Sequence, residues 1–225
     1  QYPAEYRDIF NAFWEKRPVC VRANTLKDTP YKDGINENTD MADIEKGLFF
    51  VQGLSSQQAV KALDARKGMI VIDLCACPGG KSFGAAIDME NEGKIISSDL
   101  HANKLSLIRK GAEKLGIDII ETIPRDARVT DQSLVAAADR VICDVPCSGL
   151  GIIAKKPDIK YKAPSDIERL PEIQLNILRA SSRYLKSSGR LVYSTCTLVP
   201  EENERVTDAF LRECPSFRRA EGYPV

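Results

Sequence analysis

The alternation of short apolar runs with helical patterns constrains the fold of this chain more than any other feature. Five runs have the length and apolar content of buried strands: MIVIDL (69–74), KIISSD (94–99), DIIETI (118–123), RVICDV (140–145) and GRLVYSTC (189–196). Between them, apolar residues recur on one helical face in 103–115 and in 166–186. Strand, helix and strand repeated at this spacing predict right-handed βαβ units. We therefore expect an α/β fold, with a mostly parallel sheet and helices on both faces.

The composition excludes several other classes of protein. The 225 residues carry a formal net charge of zero, so overall charge does not hold this chain to nucleic acid, although a local basic face would. No apolar run approaches the roughly 20 residues that span a bilayer, and the N-terminus has no signal-peptide pattern. We expect a cytoplasmic protein that does not bind membranes, with a monomer as the default state.

The composition of the chain changes near residue 48. Residues 27–46 are polar, with Pro, Gly and Asn, which is typical of a loop or linker. The strand-like stretch VCVRANTL precedes this segment. These patterns predict an N-terminal appendage in residues 1–47 and a larger domain in residues 48–225.

A polar or reactive group lies at the end of every predicted strand. CACPGGK (75–81) follows the first strand, Asp99 ends the second, and Asp126 follows the third. DVPC (144–147) ends the fourth strand, and Cys196 ends the fifth. In open parallel sheets, ligands bind beyond the carboxyl ends of the strands. The sequence therefore predicts one functional site along this edge of the sheet.

The CACPGGK loop is a tight glycine turn between a strand and a helix. Paired glycines let the backbone approach a ligand, and helix N-terminal amides favour an anionic group. Asp99 lies about 20 residues later, where an acid accepts hydrogen bonds from a ribose. These features predict an adenosine-bearing cofactor, although a structural turn beside solvated acids would show the same residues. The loop matches neither GxGxxG nor GxxxxGK[ST], which disfavours dinucleotides and ATP.

Two of the seven cysteines, Cys147 and Cys196, lie in the mouth of this predicted cleft. Without a signal peptide we expect reduced thiols, so a functional cysteine would be catalytic or a metal ligand. His101 is the only histidine, and we therefore predict no metal site. A thiolate in this position is suited to act as a nucleophile, but the residues alone do not choose between the two. Packing roles are expected for Cys20, Cys75, Cys143 and Cys214.

Basic residues concentrate in KKPDIKYK (155–162), directly after the DVPC loop. Lysines there, together with Arg22 near the N-terminus, are candidates for contacts with a phosphate backbone, and Tyr161 is a candidate for stacking on a base. Judged alone, a solvated loop explains the same residues equally well.

Four stretches, taken together, identify a family. DLCACPGGKS, DVPCSGLGIIAKKPDIKY, IQLNILRAS and LVYSTCTLVPEENE closely resemble the RNA 5-methylcytosine methyltransferases of the bacterial Sun/RsmB type. The resemblance runs from about residue 47 to residue 213, in the family's order. VRANTLK near the N-terminus is similar to the family's RVNTLK segment. The stretch IIAKKPDIKY is most like the branch that methylates small-subunit (16S) ribosomal RNA.

The resemblance implies a class I S-adenosylmethionine-dependent methyltransferase, Rossmann-like, with S-adenosylmethionine as cofactor. Asp99 would hold the ribose hydroxyls and Asp126 the adenine side. Asp144 would lie near the methyl group and the target cytosine. The methionine end of the cofactor would be held by the whole glycine loop, which comprises Cys75, Ala76, Cys77, Pro78, Gly79, Gly80 and Lys81.

The resemblance also implies roles for the two cysteines. Cys196, in the TC motif, would attack C6 of cytosine, and Cys147, in the PC motif, would take part in product release. Asp144 would hydrogen-bond the amino edge or N3 of the base. The substrate would be RNA, with ribosomal RNA preferred to transfer RNA, and residues 1–47 would help to bind it. The candidate RNA-binding side chains are Arg22, Lys155, Lys156 and Lys160.

The sequence leaves two other classes of function open. One is an RNA-binding paralogue without catalysis, which the retention of Cys147, Cys196 and Asp144 disfavours. The other is an oxidoreductase with an adenosine cofactor, which would bind nicotinamide. Position 77 departs from the family, which commonly reads CAAPGGK. The family's N-terminal domain is usually longer than residues 1–47, and its last two strands are barely begun by FRRAEGYPV.

Overall fold

A small antiparallel sheet forms the first part of the structure, a computed structural model that describes residues 6–12, 18–36 and 39–221. Its strands lie in the order β2-β1-β3. The elements of this part are α1 (Tyr6–Ala12), β1 (Cys20–Ala23), β2 (Gly34–Ile35), α2 (Ala42–Glu45) and β3 (Phe49–Val51).

The prediction of a loop or linker in 27–46 is wrong in part, because β2 and α2 lie within it. Two backbone-paired residues and a four-residue helix are too short to show a period in the sequence. The sheet also crosses the expected boundary after residue 47, since β3 pairs with β1 from the other side of it. The division of the chain into two functional units stays a prediction.

A five-stranded parallel sheet forms the rest of the chain, in the order β6-β5-β4-β7-β8. Its strands are β4 (Ile70–Asp73), β5 (Lys94–Asp99), β6 (Ile120–Pro124), β7 (Ala138–Asp144) and β8 (Leu185–Ser194). Its helices are α3 (Leu54–Leu63), α4 (Gly80–Asp88), α5 (Leu105–Leu115), α6 (Pro164–Glu168), α7 (Leu170–Ser182) and α8 (Glu204–Glu213). No helix in the described ranges is long and apolar enough to cross a membrane.

Both faces of the parallel sheet are covered, as predicted. Val71 of β4 packs in a core with α4 and α5, whereas its neighbour Ile72 packs in the opposite core with α7 and α8. Successive side chains of a strand point to opposite faces, so a strand buried on both faces is apolar without alternation. The central position of β4 places the following loop in the middle of the sheet edge.

The five predicted strands are all present, but one of the predicted helices differs from the structure in its bounds. The helical pattern predicted in 166–186 is divided into α6 and α7 at Arg169, and β8 already begins at Leu185. Pro171 lies in the first turn of α7, where its missing N–H costs nothing.

The VRANTLK segment joins the two sheets. Asn24 donates from Nδ2 to the carbonyl of Leu115, and Lys27 donates from Nζ to the carbonyl of Lys114, so both cap the end of α5. Arg22 is 4% exposed and pairs with Asp33 and Asp88. The expected contact of Arg22 with RNA is therefore corrected: its guanidinium is buried in ion pairs between the sheets.

Candidate active site

The predicted cofactor loop, residues 75–81, follows β4 and lies against the end of β5. The backbone N–H of Ala76 donates to the carbonyl of Ser98 at 2.8 Å. The chain then turns at Gly79 with a φ of 112°, and α4 begins at the next residue. A Cβ on Gly79 would lie 2.3 Å from the ring of Phe83, so only glycine allows this turn. The free amides of the first turn of α4 therefore begin directly beside the cleft.

Asp99 is the last residue of β5, and Asp126 lies two residues beyond the end of β6, as their sequence positions predict. The half-buried carboxylate of Asp99 accepts the N–H of His101 through Oδ1 at 3.0 Å, which leaves Oδ2 for a hydroxyl donor. Asp126, by contrast, accepts from Nε and Nη2 of Arg128 at 2.9 and 2.6 Å. This hydrogen bonding to Arg128 lowers the pKa of Asp126. The predicted adenine contact of Asp126 thus competes with an ion pair to Arg128, two residues along the chain.

A buried acid, Asp73, lies beneath the cofactor loop at the end of β4. It is 1% exposed, and Ser82 donates to its Oδ2 at 2.7 Å. Its Oδ1 has no partner among the described residues. Burial raises the pKa of Asp73 to about 7. A role for Asp73 was not predicted, although an acid within an apolar run two residues before the loop was a signal for one.

Lys81 and Asp144 face each other from the first turn of α4 and the end of β7. Nζ of Lys81 lies 2.7 Å from Oδ2 of Asp144, and Ser194 donates to Oδ1 of the same carboxylate at 2.7 Å. The Lys81 side chain is only 14% exposed. The structure therefore joins two motifs that the sequence analysis treated separately, the cofactor loop and the predicted catalytic acid.

The two predicted catalytic cysteines are in contact. Because β7 and β8 pair with Asp144 beside Ser194, the loops that follow these strands leave the sheet side by side. Sγ of Cys147 lies 3.0 Å from Sγ of Cys196, and the backbone N–H of Cys196 lies 3.2 Å from Sγ of Cys147. The cysteine side chains thus form one unit at the open edge of the sheet.

This contact shifts the pKa values of the two thiols in opposite directions. A hydrogen bond from Cys147 lowers the pKa of Cys196 to about 7, and the charges of Lys156 and Lys81 act in the same direction. Burial and Asp144 oppose this shift. The same thiol–thiol hydrogen bond, together with burial, raises the pKa of Cys147. Near neutral pH the negative charge therefore resides on Cys196, and Cys147 is the neutral donor.

The remaining cysteines of the site are neutral thiols. Burial is the first cause of a raised pKa for Cys75 and Cys77, and it raises the pKa of Cys143 to about 12. No group of three metal-ligating side chains occurs among the residues that the structure describes. The thiolate chemistry of this edge is therefore concentrated on Cys196.

The basic loop 155–162 lies beside the cysteines. Lys155, Lys156 and Lys160 are exposed, and Tyr161 is 77% exposed with Nζ of Lys160 4.9 Å from its ring centroid. Lys162 donates to the carbonyl of Ser148 at 2.8 Å, which ties this loop to the loop of Cys147. An exposed aromatic ring among exposed lysines is suited to a stacked base and its phosphates.

Sequence reasoning missed a buried polar group behind the cysteines. Glu202 and Gln174 are both fully buried, and Asn203 lies next to Glu202. The motifs EENE and IQLN contained these residues, but neither motif had a function attached to it. For Gln174, the signal in the sequence was an amide residue in an otherwise apolar stretch of helix. For Glu202, it was a charged residue close to the candidate nucleophile Cys196.

Residues 60–222 match the family described as 16S rRNA methyltransferase RsmB/F. The chain is 45% identical over 175 residues to the probable ribosomal RNA small subunit methyltransferase B of Bacillus subtilis. That similarity covers 77% of this chain and 39% of the relative. The matched part thus spans about two fifths of the relative's length.

Two solved structures have the same architecture. A methyltransferase homolog protein from Pyrococcus horikoshii superposes with a TM-score of 0.81 at 29% identity, covering 94% of this chain and 75% of that one. NSun6 from Pyrococcus horikoshii, solved with SFG, has a TM-score of 0.69 at 31% identity, covering 80% and 46%. These likenesses confirm the predicted methyltransferase fold class.

Proposed function

The chain belongs to the 16S rRNA methyltransferase RsmB/F family, as the sequence resemblance predicted, and from this premise we propose that it methylates C5 of a cytosine in RNA. Small-subunit ribosomal RNA is the proposed substrate, because the relatives are named for it. The contact between Cys147 and Cys196 carries the proposal. A thiolate beside a neutral thiol suits a mechanism that must both form and release a covalent bond.

S-adenosylmethionine is the cofactor of this family, as predicted, and it supplies an electrophilic methyl group on a sulfonium. The residues present fit such a group. Gly79 keeps the loop tight, the first amides of α4 are open, and Asp99 retains a half-exposed carboxylate oxygen. We assign residues 75–81 to the methionine end and Asp99 to the ribose hydroxyls. Asp126 would approach the adenine only as an ion pair with Arg128.

Cys196 is the proposed nucleophile. Its thiolate adds to C6 of the cytosine, and the electrons of the C5–C6 double bond move towards C4 and N3. The resulting enamine gives C5 the electron density that methylation needs. The target base must be single-stranded or extruded from a helix to reach the thiolate, because C6 is shielded in a stacked duplex.

Asp144 is the proposed contact to the polar edge of the cytosine. Its carboxylate is held by Lys81 and Ser194, so its direction is fixed before the base arrives. A hydrogen bond from the cytosine amino group to this carboxylate favours electron flow towards C5. Lys81 balances the negative charge, so that Asp144 and the Cys196 thiolate can coexist in one cleft.

Cys147 is the proposed residue of product release. After methylation, C5 carries both a hydrogen and the new methyl group. Transfer of the C5 proton to a water molecule from the solvent re-forms the C5–C6 double bond and expels Cys196 as a thiolate. The neutral thiol of Cys147 is in position to donate to this sulfur while its negative charge develops.

The proposed RNA-binding face is the loop 155–162. Lys155, Lys156 and Lys160 would contact phosphates, and Tyr161 would stack on a base near the target cytosine. A cytoplasmic location, where ribosomal RNA is made in bacteria, belongs to the same proposal. The role of residues 1–47 in RNA binding also remains part of it.

Labelled methyl transfer tests this function. The protein is incubated with S-adenosylmethionine carrying a labelled methyl group and with 16S ribosomal RNA from cells that lack this type of methylation. Transfer RNA and the same ribosomal RNA with prior methylation serve as matched controls. We expect label in 5-methylcytosine of the undermodified ribosomal RNA, identified by mass spectrometry of the nucleosides.

Other outcomes contradict the proposal at distinct points. Label in transfer RNA alone would contradict the proposed substrate but would support the proposed reaction. Label at another atom of the base would overturn the reaction. Binding of S-adenosylhomocysteine without methylation of either RNA would overturn the proposal that this chain is an active enzyme.

A further inference from the structure

The EENE motif at 201–204 has no part in the proposed chemistry, yet it contains a fully buried acid. Glu202 is 0% exposed and lies in a short turn after β8. Its Oε2 accepts the backbone N–H of Ser148 at 2.8 Å and Nε2 of Gln174 at 2.8 Å. Glu202 therefore reaches from the loop of Cys196 to the loop of Cys147.

Both neighbours of Cys147 are held by this buried pair. Gln174 donates from Nε2 to the carbonyl of Pro146 at 3.0 Å, while Glu202 accepts from the N–H of Ser148. The backbone on each side of Cys147 is thus fixed by one acceptor and one donor. Tyr193 of β8 in turn donates to the carbonyl of Glu202 at 2.6 Å, which anchors the turn to the sheet.

Asn203 holds the neighbours of Cys196 in the same manner. Its Oδ1 accepts from the hydroxyl of Thr195 at 2.5 Å, and its Nδ2 donates to the carbonyl of Thr197 at 3.2 Å. Ser148 and Thr197, which follow the two cysteines, share a hydroxyl hydrogen bond of 2.7 Å. Two consecutive residues, Glu202 and Asn203, therefore fix one cysteine loop each.

The burial of Glu202 is costly, which argues for more than packing. Oε1 of Glu202 has no partner among the described residues. A buried carboxylate loses its hydration, and an apolar side chain of similar volume would fill the space without that loss. What a carboxylate offers instead is a strong, directional acceptor for two N–H groups at one point.

We propose that Glu202 and Asn203 are positioning residues that hold the loops of Cys147 and Cys196 at the separation where one sulfur donates a hydrogen bond to the other. The catalytic meaning of this contact rests on the proposed function. A hydrogen bond between two sulfurs weakens steeply with distance and angle, so a small shift of either loop abolishes it. The thiolate fraction of Cys196 would then fall.

The test is the pH dependence of alkylation of Cys196 by iodoacetamide, followed by mass spectrometry of its peptide. Glu202→Ala and Asn203→Ala release one loop each. Glu202→Gln keeps the volume and an oxygen that can accept both N–H groups. Glu201→Ala is the matched control, because this neighbouring glutamate points to solvent and pairs with Arg205. Binding of S-adenosylhomocysteine and thermal unfolding report whether each variant is folded.

We expect a midpoint near pH 7 for the unaltered protein, for Glu201→Ala and for Glu202→Gln. Glu202→Ala and Asn203→Ala should move the midpoint towards the ordinary thiol range, with about tenfold less reactive Cys196 at pH 7. In RNA methylation, the same two variants should lower kcat and leave KM for RNA unchanged.

An unchanged midpoint in folded Glu202→Ala and Asn203→Ala would overturn the inference. If Glu202→Ala does not fold, Asn203→Ala decides: a raised midpoint supports the inference and an unchanged one overturns it. Alkylation needs no RNA, so these results stand apart from the proposed function. A protein that shows the expected midpoints but methylates no RNA would refute the function and retain the positioning role.

Discussion

The loops of Cys147 and Cys196 follow neighbouring strands and reach the same point, but their surroundings shift the pKa values of the two thiols in opposite directions. Cys196 is exposed and lies near the positive charges of Lys156 and Lys81, whereas Cys147 is half-buried. The backbone N–H of Cys196 pulls the other way, because it favours a negative charge on Cys147. The thiol–thiol hydrogen bond and burial outweigh this effect of the N–H, so the pKa of Cys147 is raised.

This difference bears on the proposed choice of nucleophile, because it moves the pKa values of the two thiols apart. Both cysteines follow a strand and stand beside an acid or a hydroxyl residue, so neither motif identifies the thiolate by itself. The choice depends on the direction of one hydrogen bond and on cations from distant parts of the chain. The family resemblance selected Cys196, and the electrostatics of the structure favour the same residue.

Replacement of Cys196 should have the largest effect. Cys196→Ala removes the proposed nucleophile, and we expect methylation to fall by on the order of 10⁴-fold or more, with cofactor binding retained. The loss of activity is measured as single-turnover transfer of a labelled methyl group to RNA. Cys20→Ala, in β1, is the cysteine control and should keep full activity. Substantial methylation by Cys196→Ala would show that Cys196 is not the nucleophile and would assign that role to Cys147.

Replacement of Cys147 should have the next largest effect. Cys147→Ala removes the donor to the leaving sulfur, so steady-state turnover should fall by about 10²-fold. The pKa of Cys196 should rise from about 7 because its hydrogen-bond donor is lost. Alkylation of Cys196 against pH measures that shift. A midpoint that stays at 7 would show that the nearby lysines alone, and not the contact between the loops, activate Cys196.

The pH dependence of the unaltered enzyme should reflect the thiolate of Cys196. Below its pKa of about 7 the sulfur is protonated, so kcat/KM should fall about tenfold for each pH unit below 7 and level off above it. Rates at constant ionic strength from pH 5.5 to 9 measure this. The same profile shifted to a midpoint above 8 would contradict a preformed thiolate.

Removal of the basic residues beside the loops should have the smallest effect. The triple replacement of Lys155, Lys156 and Lys160 by Ala should raise KM for RNA several-fold and reduce the salt dependence of binding by a slope of about 2. Binding of RNA measured between low and physiological salt tests it. Replacement of the exposed Lys32, Lys110 and Lys186 is the charge-matched control. If RNA binding by both triple variants had the same salt dependence, the loop 155–162 would not be part of the RNA-binding face.

The sequence predicted the parallel sheet and its edge well, because those features arise from local patterns. Apolar runs without alternation indicated strands buried on both faces, and β4 to β8 all occur. The glycine loop and Asp99 are near each other for the same reason, since consecutive parallel strands end at the same edge.

Side-chain partners from distant segments were not predictable. Arg22 has the composition of an RNA contact, but Asp33 and Asp88 bury it. Nothing local to Glu202 indicates that it binds the N–H of Ser148, because that contact depends on the way β7, β8 and α7 pack together.

Covalent trapping on RNA tests the division of labour between the two cysteines most directly. Cys147→Ala and Cys196→Ala are each incubated with S-adenosylmethionine and undermodified ribosomal RNA, and protein–RNA adducts are resolved under denaturing conditions. We predict that Cys147→Ala accumulates an adduct whose peptide maps to Cys196, while Cys196→Ala forms none. An adduct in Cys196→Ala that maps to Cys147 would contradict the account, because the nucleophile would then lie on the other loop.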